Sequence, residues 1–156
     1  MVMTIVIMGV IAGIAAVIIM QGIGVYSAEE SRSEVHYQAR LAMQRMTREI
    51  RTIRSPVEAY TAVAGTLVNP GSGIIFTDVT GTTITFSRTG TVLNRINGGT
   101  TSPLAQGVTA LTFNHYDDTG TLTTTPANLW TIEIAMTAQQ GGETLQMRTR
   151  VHPRNF

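Results

Sequence analysis

Three histidines, His36, His115 and His152, are the only imidazoles available for proton transfer near neutral pH, and they are scattered along the chain. No H-x-x-x-H or H-E-x-x-H spacing, which would set two imidazoles on one helix face for zinc, is present. The absence of cysteine removes thiolate ligands, a sulfur nucleophile and any disulfide framework. Asp117-Asp118-Thr119-Gly120 offers oxygens to a calcium ion, but a calcium loop needs several spaced oxygen ligands, and these residue types are those of a turn. Ser87 and Ser102 lack a G-x-S-x-G setting or a nearby base. Gly98-Gly99 is followed by neither a helix nor a lysine that could cradle phosphate. Arg148, Arg150 and Arg154 read as a solvated strand face. A formal net charge of +1 gives no electrostatic case for a nucleic-acid partner. The expectation is a chain with no catalytic residue, no metal and no cofactor, hence not an enzyme.

The elements that position these side chains are more informative. Residues 1–28 carry no charge, and residues 1–20 are apolar apart from Thr4. That length meets the requirement for crossing a bilayer core, and only a helix pairs its own backbone groups there. The segment is read as an uncleaved transmembrane or filament-core helix, since no cationic region precedes it and the bulky Tyr26 sits beside the best cleavage position, Ala28. Gly9 and Gly13 form a G-x-x-x-G pair, and Ala12 with Ala16 extends a face of small residues that lets helices approach closely. With Ile5 and Met20 they make the candidate helix-packing surface. Gly22 and Gly24 lower helix propensity, and a bend or local melting is expected there.

Residues 29–55 are predicted as an amphipathic continuation of the same helix. Val35, Ala39, Met43 (or Ala42), Met46, Ile50 and Ile53 recur at spacings of three and four. Arg45 and Glu49 form an i, i+4 pair, and Ser55-Pro56 stops the helix. All 11 cations are Arg, and Arg32, Arg40, Arg45, Arg48, Arg51 and Arg54 lie in this stretch. Met46, Ile50 and Ile53 are expected to pack against a sheet, the stretch nearer Tyr26 to stand free.

Beyond Pro56 the period shifts from 3.6 to 2. Strand-like runs are read at residues 60–68, 73–79, 82–88, 91–96 and 108–116, separated by turns at Asn69-Pro70-Gly71, Thr80-Gly81, Thr89-Gly90 and Asn97-Gly98-Gly99. Trp130, Ile132, Ile134 and Met136 alternate with Thr131, Glu133 and Ala135; Leu145, Met147 and Val151 alternate with Gln146, Arg148 and Arg150. These two runs flank Gln139-Gln140-Gly141-Gly142 and predict an antiparallel hairpin with one wet face. No internal repeat is read. The predicted fold class is α+β: a long N-terminal α-helix, apolar transmembrane half then amphipathic half, packed on an antiparallel β-sheet domain spanning 56–156.

Val2-Met3-Thr4-Ile5-Val6-Ile7-Met8-Gly9-Val10-Ile11-Ala12-Gly13 resembles the hydrophobic core of the prepilin-type N-terminal methylation segment of type IV pilins and type II secretion pseudopilins. Ala39-Arg40-Leu41-Ala42-Met43-Gln44-Arg45-Met46-Thr47-Arg48-Glu49-Ile50-Arg51 is similar to the R-x-x-x-x-R-M-x-R-E-I/L-R end of the long helix in minor pilins of the MSHA O type and J-type minor pseudopilins. Gly107-Val108-Thr109-Ala110-Leu111-Thr112-Phe113, with Pro103-Leu104-Ala105-Gln106 before it and Tyr116-Asp117 after, resembles their L-x-x-G-V-x-x-L-x-F-x-Y-Y-D strand. Arg150-Val151-His152-Pro153-Arg154-Asn155 resembles their C-terminal R-V-x-x-R-N. The family's basic leader and its N-terminal Glu have no counterpart in the chain, and the expectation is that the true start lies upstream, with Met1 an internal methionine.

The resemblance implies a pilin-like fold and a non-enzymatic minor pilin or pseudopilin. Such a subunit is anchored in the inner membrane with its C-terminal domain in the periplasm. It is then built into a pilus or pseudopilus, initiating or capping it. Its partners would be other pilins through the N-terminal helix, the inner membrane and the assembly machinery. The alternative reading is a single-pass anchored envelope β-domain that binds a ligand or adheres without polymerising.

Overall fold

The computed structural model describes the backbone of residues 2–61, 66–140 and 142–156, and their side chains except at 2, 4, 5 and 22–33. Ile5 and the glycines at 22 and 24 therefore lie outside the residues described in full. The chain forms two compact units, Met1–Glu34 and Val35–Phe156. Helical backbone α1 runs over Val2–Ile50. Its fully described stretches, residues 6–21 and 34–50, are about 16 residues each.

In the second unit α1 buries Val35, Ala39, Ala42, Met43, Met46 and Ile50, the one-sided stripe that 3.6 residues per turn produces. The helix tightens as it ends: Thr52 N donates to Glu49 O at 2.9 Å and Ile53 N to Ile50 O at 3.2 Å, three residues back rather than four. The Thr52 hydroxyl also donates to Glu49 O at 2.7 Å, which competes with further helical bonding. Ile53 lies past this end, fully buried and bridged to Asp78.

The strands form two antiparallel sheets. The first follows chain order, β1 (Ala59–Tyr60), β2 (Gly73–Thr77), β3 (Thr83–Thr89), β4 (Val92–Asn97) and β5 (Thr100–Ala105). The second is β6 (Val108–Tyr116), β7 (Thr131–Gln140) and β8 (Glu143–Val151). Alternate residues point inward. Ile74, Phe76, Ile84 and Phe86 from the first sheet meet Phe113, Ile132, Ile134 and Met136 from the second, in one core that includes the helix stripe. Cross-strand partners Ile74 with Phe86 and Phe76 with Ile84 set the register, and the two phenyl rings lie 6.1 Å apart. Gly71 joins the sheets by exchanging two 2.8 Å backbone hydrogen bonds with Phe113.

The expected α+β fold with a transmembrane half is corrected. Among the residues described in full the chain is mostly β, in two sheets rather than one. Among the described residues no helix is long and apolar enough to cross a membrane.

The sequence reading also omits β5. Its residues, Thr-Thr-Ser-Pro-Leu-Ala, are mostly exposed, and Pro103 argues against a strand. β5 tolerates it because it is an edge strand, joined to β4 across a register shift at Leu93/Asn94. Of the run expected at 60–68, only Tyr60 joins a strand, the two-residue β1; residues 62–65 lie outside the described residues.

One ion pair ties the helix to the first sheet. Arg95 Nε on β4 reaches Glu49 Oε2 at 2.7 Å and Oε1 at 3.0 Å, with both side chains mostly buried. Glu49 also accepts from Arg45 Nε at 2.9 Å. Truncation in Arg95→Ala therefore leaves Glu49 one cation, and denaturant unfolding is expected to lose about 1.5 kcal/mol, the lower end for a charge-assisted bond.

Candidate functional site

The unit Met1–Glu34 presents an apolar surface that nothing within the unit covers. Met3, Val6, Ile7, Met8, Val10, Ile11, Ile14, Val17, Ile18, Ile19 and Met20 are each between 52% and 79% exposed. At 100° per residue these positions go all round the helix, so no polar face is left for water. Gly9, Ala12, Gly13 and Ala16 share one side of it, and a Cβ added at Gly9 or Gly13 would meet no atom within 4 Å. The helix is thus open to close approach along that side. Met20 ends the same stretch at 76% exposed. Met46, Ile50 and Ile53 lie in the core of the second unit, fully buried.

The histidines are not brought together. His36 is on α1, His115 on β6, and His152 follows β8. Among the described residues no three His, Cys, Asp or Glu gather as a metal site.

His115 is fully buried. Its Nδ1 lies 2.9 Å from Asn69 Oδ1, which also accepts the His115 backbone N–H at 2.7 Å. The Asn69 amide nitrogen donates in turn to the carbonyls of His115 and Thr123. Asn69 so satisfies the backbone where the β6 end meets two loops, and the arrangement selects a neutral ring with its proton on Nδ1. Burial pushes the imidazole down to about 4, with the Val68 carbonyl pulling the other way.

Of the three arginines read as a solvated face, Arg148 and Arg150 are organised around an acid. Glu133 on β7 is only 2% exposed. It accepts from Arg150 Nε at 2.9 Å and Asn114 Nδ2 at 3.1 Å, with Arg148 Nε at 3.7 Å. The Arg150 guanidinium also lies 4.5 Å above the Tyr116 ring. Burial would raise the Glu133 pKa, but the bonds from Arg150 and Asn114 and the charges of Arg148 and Arg150 outweigh it and hold it below the usual range. The signal was available in sequence: pairing Gln140 with Glu143 across the hairpin counts out to Glu133 opposite Arg150.

A second missed signal is a repeat. Asp78-Val79-Thr80-Gly81-Thr82 and Asp117-Asp118-Thr119-Gly120-Thr121 share the pattern D-x-T-G-T. Their loops also share a hydrogen-bond pattern. Asp78 Oδ1 accepts from Thr80 N (2.9 Å), Thr80 Oγ1 (2.6 Å) and Thr82 N (2.9 Å). Asp117 Oδ1 accepts from Thr119 N (3.1 Å), Thr119 Oγ1 (2.7 Å) and Thr121 N (2.8 Å). Each glycine takes a positive φ, +84° at Gly81 and +81° at Gly120. Asp117 Oδ1 is therefore occupied by its own loop, and the segment is a turn.

No protein-family model matches the chain, and the search of curated proteins gives no match.

Proposed function

We propose that this chain is a non-enzymatic minor pilin or pseudopilin subunit. It is held at the inner membrane with its β-rich part on the periplasmic side, then built into a type IV pilus or type II secretion pseudopilus by helix packing. The observation that carries the reading is the apolar surface turned outward all round residues 6–20. Leaving such side chains half exposed in water costs on the order of 1 kcal/mol each, a total comparable to the roughly 5–15 kcal/mol net stability of a whole domain. A helix of this kind persists only where something apolar encloses it. Copies of similar helices suit it as a final environment, since the small residues at 9, 12, 13 and 16 admit close backbone approach. The residue pattern shared with minor pilins through residues 39–51 and 103–117 supports the same reading.

The test is Gly13→Leu in the full chain. Its side chain would stand on the open side of the helix and hold a neighbour away. Recovery of the variant with sheared or pulled-down filaments is expected to fall at least about tenfold, equivalent to about 1.4 kcal/mol of lost packing, with Gly13→Ala close to the parent. Equal recovery of Gly13→Leu and parent would overturn the filament reading and favour an adhesive domain that does not polymerise.

A further inference from the structure

A cleft of about 570 Å³ opens where the loop after β6 meets the turn before β7, bordered by Asp117, Asp118, Asn128, Leu129, Trp130 and Phe156. Its size falls within the range of small-ligand sites. Trp130 is the chain's single tryptophan, and it is 43% exposed. An indole left open to this extent loses the burial that usually justifies its size.

It is nevertheless held in place. Its backbone N–H donates to Tyr116 O at 2.8 Å. The His152 ring lies against the indole with centroids 4.3 Å apart, and His152 Nδ1 is 2.7 Å from Trp130 O. The preceding residue, Leu129, is anchored in the core at 2% exposed. The indole is thus a fixed platform.

Two carboxylates share the cleft with it. The bonds to Asp117 converge on Oδ1 from within its loop, which fixes the group and leaves Oδ2 free of those bonds. Asp118 is fully on the exposed side of the same loop. Among the described residues that line the cleft there is no arginine or histidine, and His152, which packs on the indole, is not one of the lining residues. A rigid aromatic face beside two uncompensated anions attracts a positive charge carried on an apolar stem: the ring accepts the stem or the cation face, and the carboxylates accept its N–H donors.

We propose that this cleft binds an organic cation, a guanidinium or primary ammonium group on a short aliphatic stem, seated between the Trp130 indole and the carboxylates of Asp117 and Asp118. The site is separate from the helix surface on which the filament reading rests.

Because Trp130 is the only tryptophan, its emission reports occupancy directly. The full chain, in a non-ionic detergent that contains no sugar, is titrated with agmatine, with the peptide acetyl-Gly-Arg-Gly-amide, with methyl glucoside and with acetate. A saturable change in emission is expected with the two cations and none with the neutral or anionic probes. Equal affinity for both cations identifies the free cationic group as sufficient; a markedly tighter peptide identifies an arginine side chain of a polypeptide as the source. Asp118→Asn is expected to weaken binding about tenfold, and Asp118→Lys to abolish it by placing a tethered cation in the cleft. Circular dichroism identical to the parent establishes that these exposed-loop variants fold. Absence of a saturable response to either cation, an equal response to methyl glucoside, or unchanged affinity in both Asp118 variants would overturn the proposal.

Discussion

Gly107→Ala is expected to lower the unfolding free energy by about 3 kcal/mol, measured by denaturant unfolding of the full chain in detergent with Trp130 emission as the probe. Two independent costs add. Gly107 adopts φ +69°, a left-handed conformation that costs an L-residue with a Cβ roughly 1–2 kcal/mol. The new methyl would also sit 2.8 Å from Gln139 O and 3.1 Å from Val35 Cγ1. Neither neighbour gives way freely: Gln139 N donates to Gly107 O at 2.7 Å, and Val35 is part of the buried helix stripe. Forcing an extra carbon into such a contact typically costs a further 1–3 kcal/mol. Gly120→Ala provides the control. It shares the positive φ, at +81°, but its Cβ would meet open space, so only the backbone cost of about 1 kcal/mol should appear. Equal losses at the two positions would show that the close approach of β7 and α1 to residue 107 does not hold in solution.

The second large effect is on pH dependence. The native His115 imidazole titrates at about 4, below its ordinary value of 6.5. Between those values the unfolded chain takes up a proton that the folded chain refuses, so acidification favours unfolding. Stability from this residue is complete above pH 6.5 and falls as pH drops toward 4. The slope approaches about 1.4 kcal/mol per pH unit and the total reaches about 3 kcal/mol. The carboxylates held below their ordinary range, Asp78, Asp117 and Glu133, have ordinary values of 3.8, 3.8 and 4.5. Their stabilisation is present above those values and is lost only as pH falls below them. Of these four groups, His115 alone changes stability in the window from 6.5 to 5. His115→Leu should flatten unfolding free energy against pH across that window, whatever its effect on absolute stability. A slope unchanged in the variant would place the acid sensitivity elsewhere.

Much of the β-rich part was legible in the chain because burial imposes a period of two. Ile132, Ile134 and Met136 point inward and Glu133 lies on the opposite face, as their alternation requires; of the predicted turn, Gln139 and Gln140 instead end β7, and Gly142 directly precedes β8. The helix stripe from Val35 to Ile50 was legible for the same reason at a period near 3.6. What escaped were features that depend on partners distant in sequence. β5 has no periodic apolar pattern because it borders solvent, and Pro103 hides it further. Asn69 looks like an ordinary turn residue, and only the fold brings it beneath His115, 46 positions along the chain. Glu133 could have been placed by counting across the hairpin, but its near-complete burial under arginine side chains could not. The apolar run misled on fold class. Its composition satisfies a membrane criterion, whereas among the described residues no helix is long and apolar enough to cross a membrane.

The rims of the two sheets bear on how such a subunit can multiply. β5 presents a proline, which has no N–H to offer, and the edge strand β8 carries Gln146, Arg148 and Arg150 on its exposed face. Strand-to-strand recruitment of another chain is thereby discouraged along these two edge strands. On the filament reading proposed above, growth would then run through the apolar helix rather than through β5 or β8, and a single kind of contact would give an ordered linear polymer where competing adhesive borders would give amorphous precipitate.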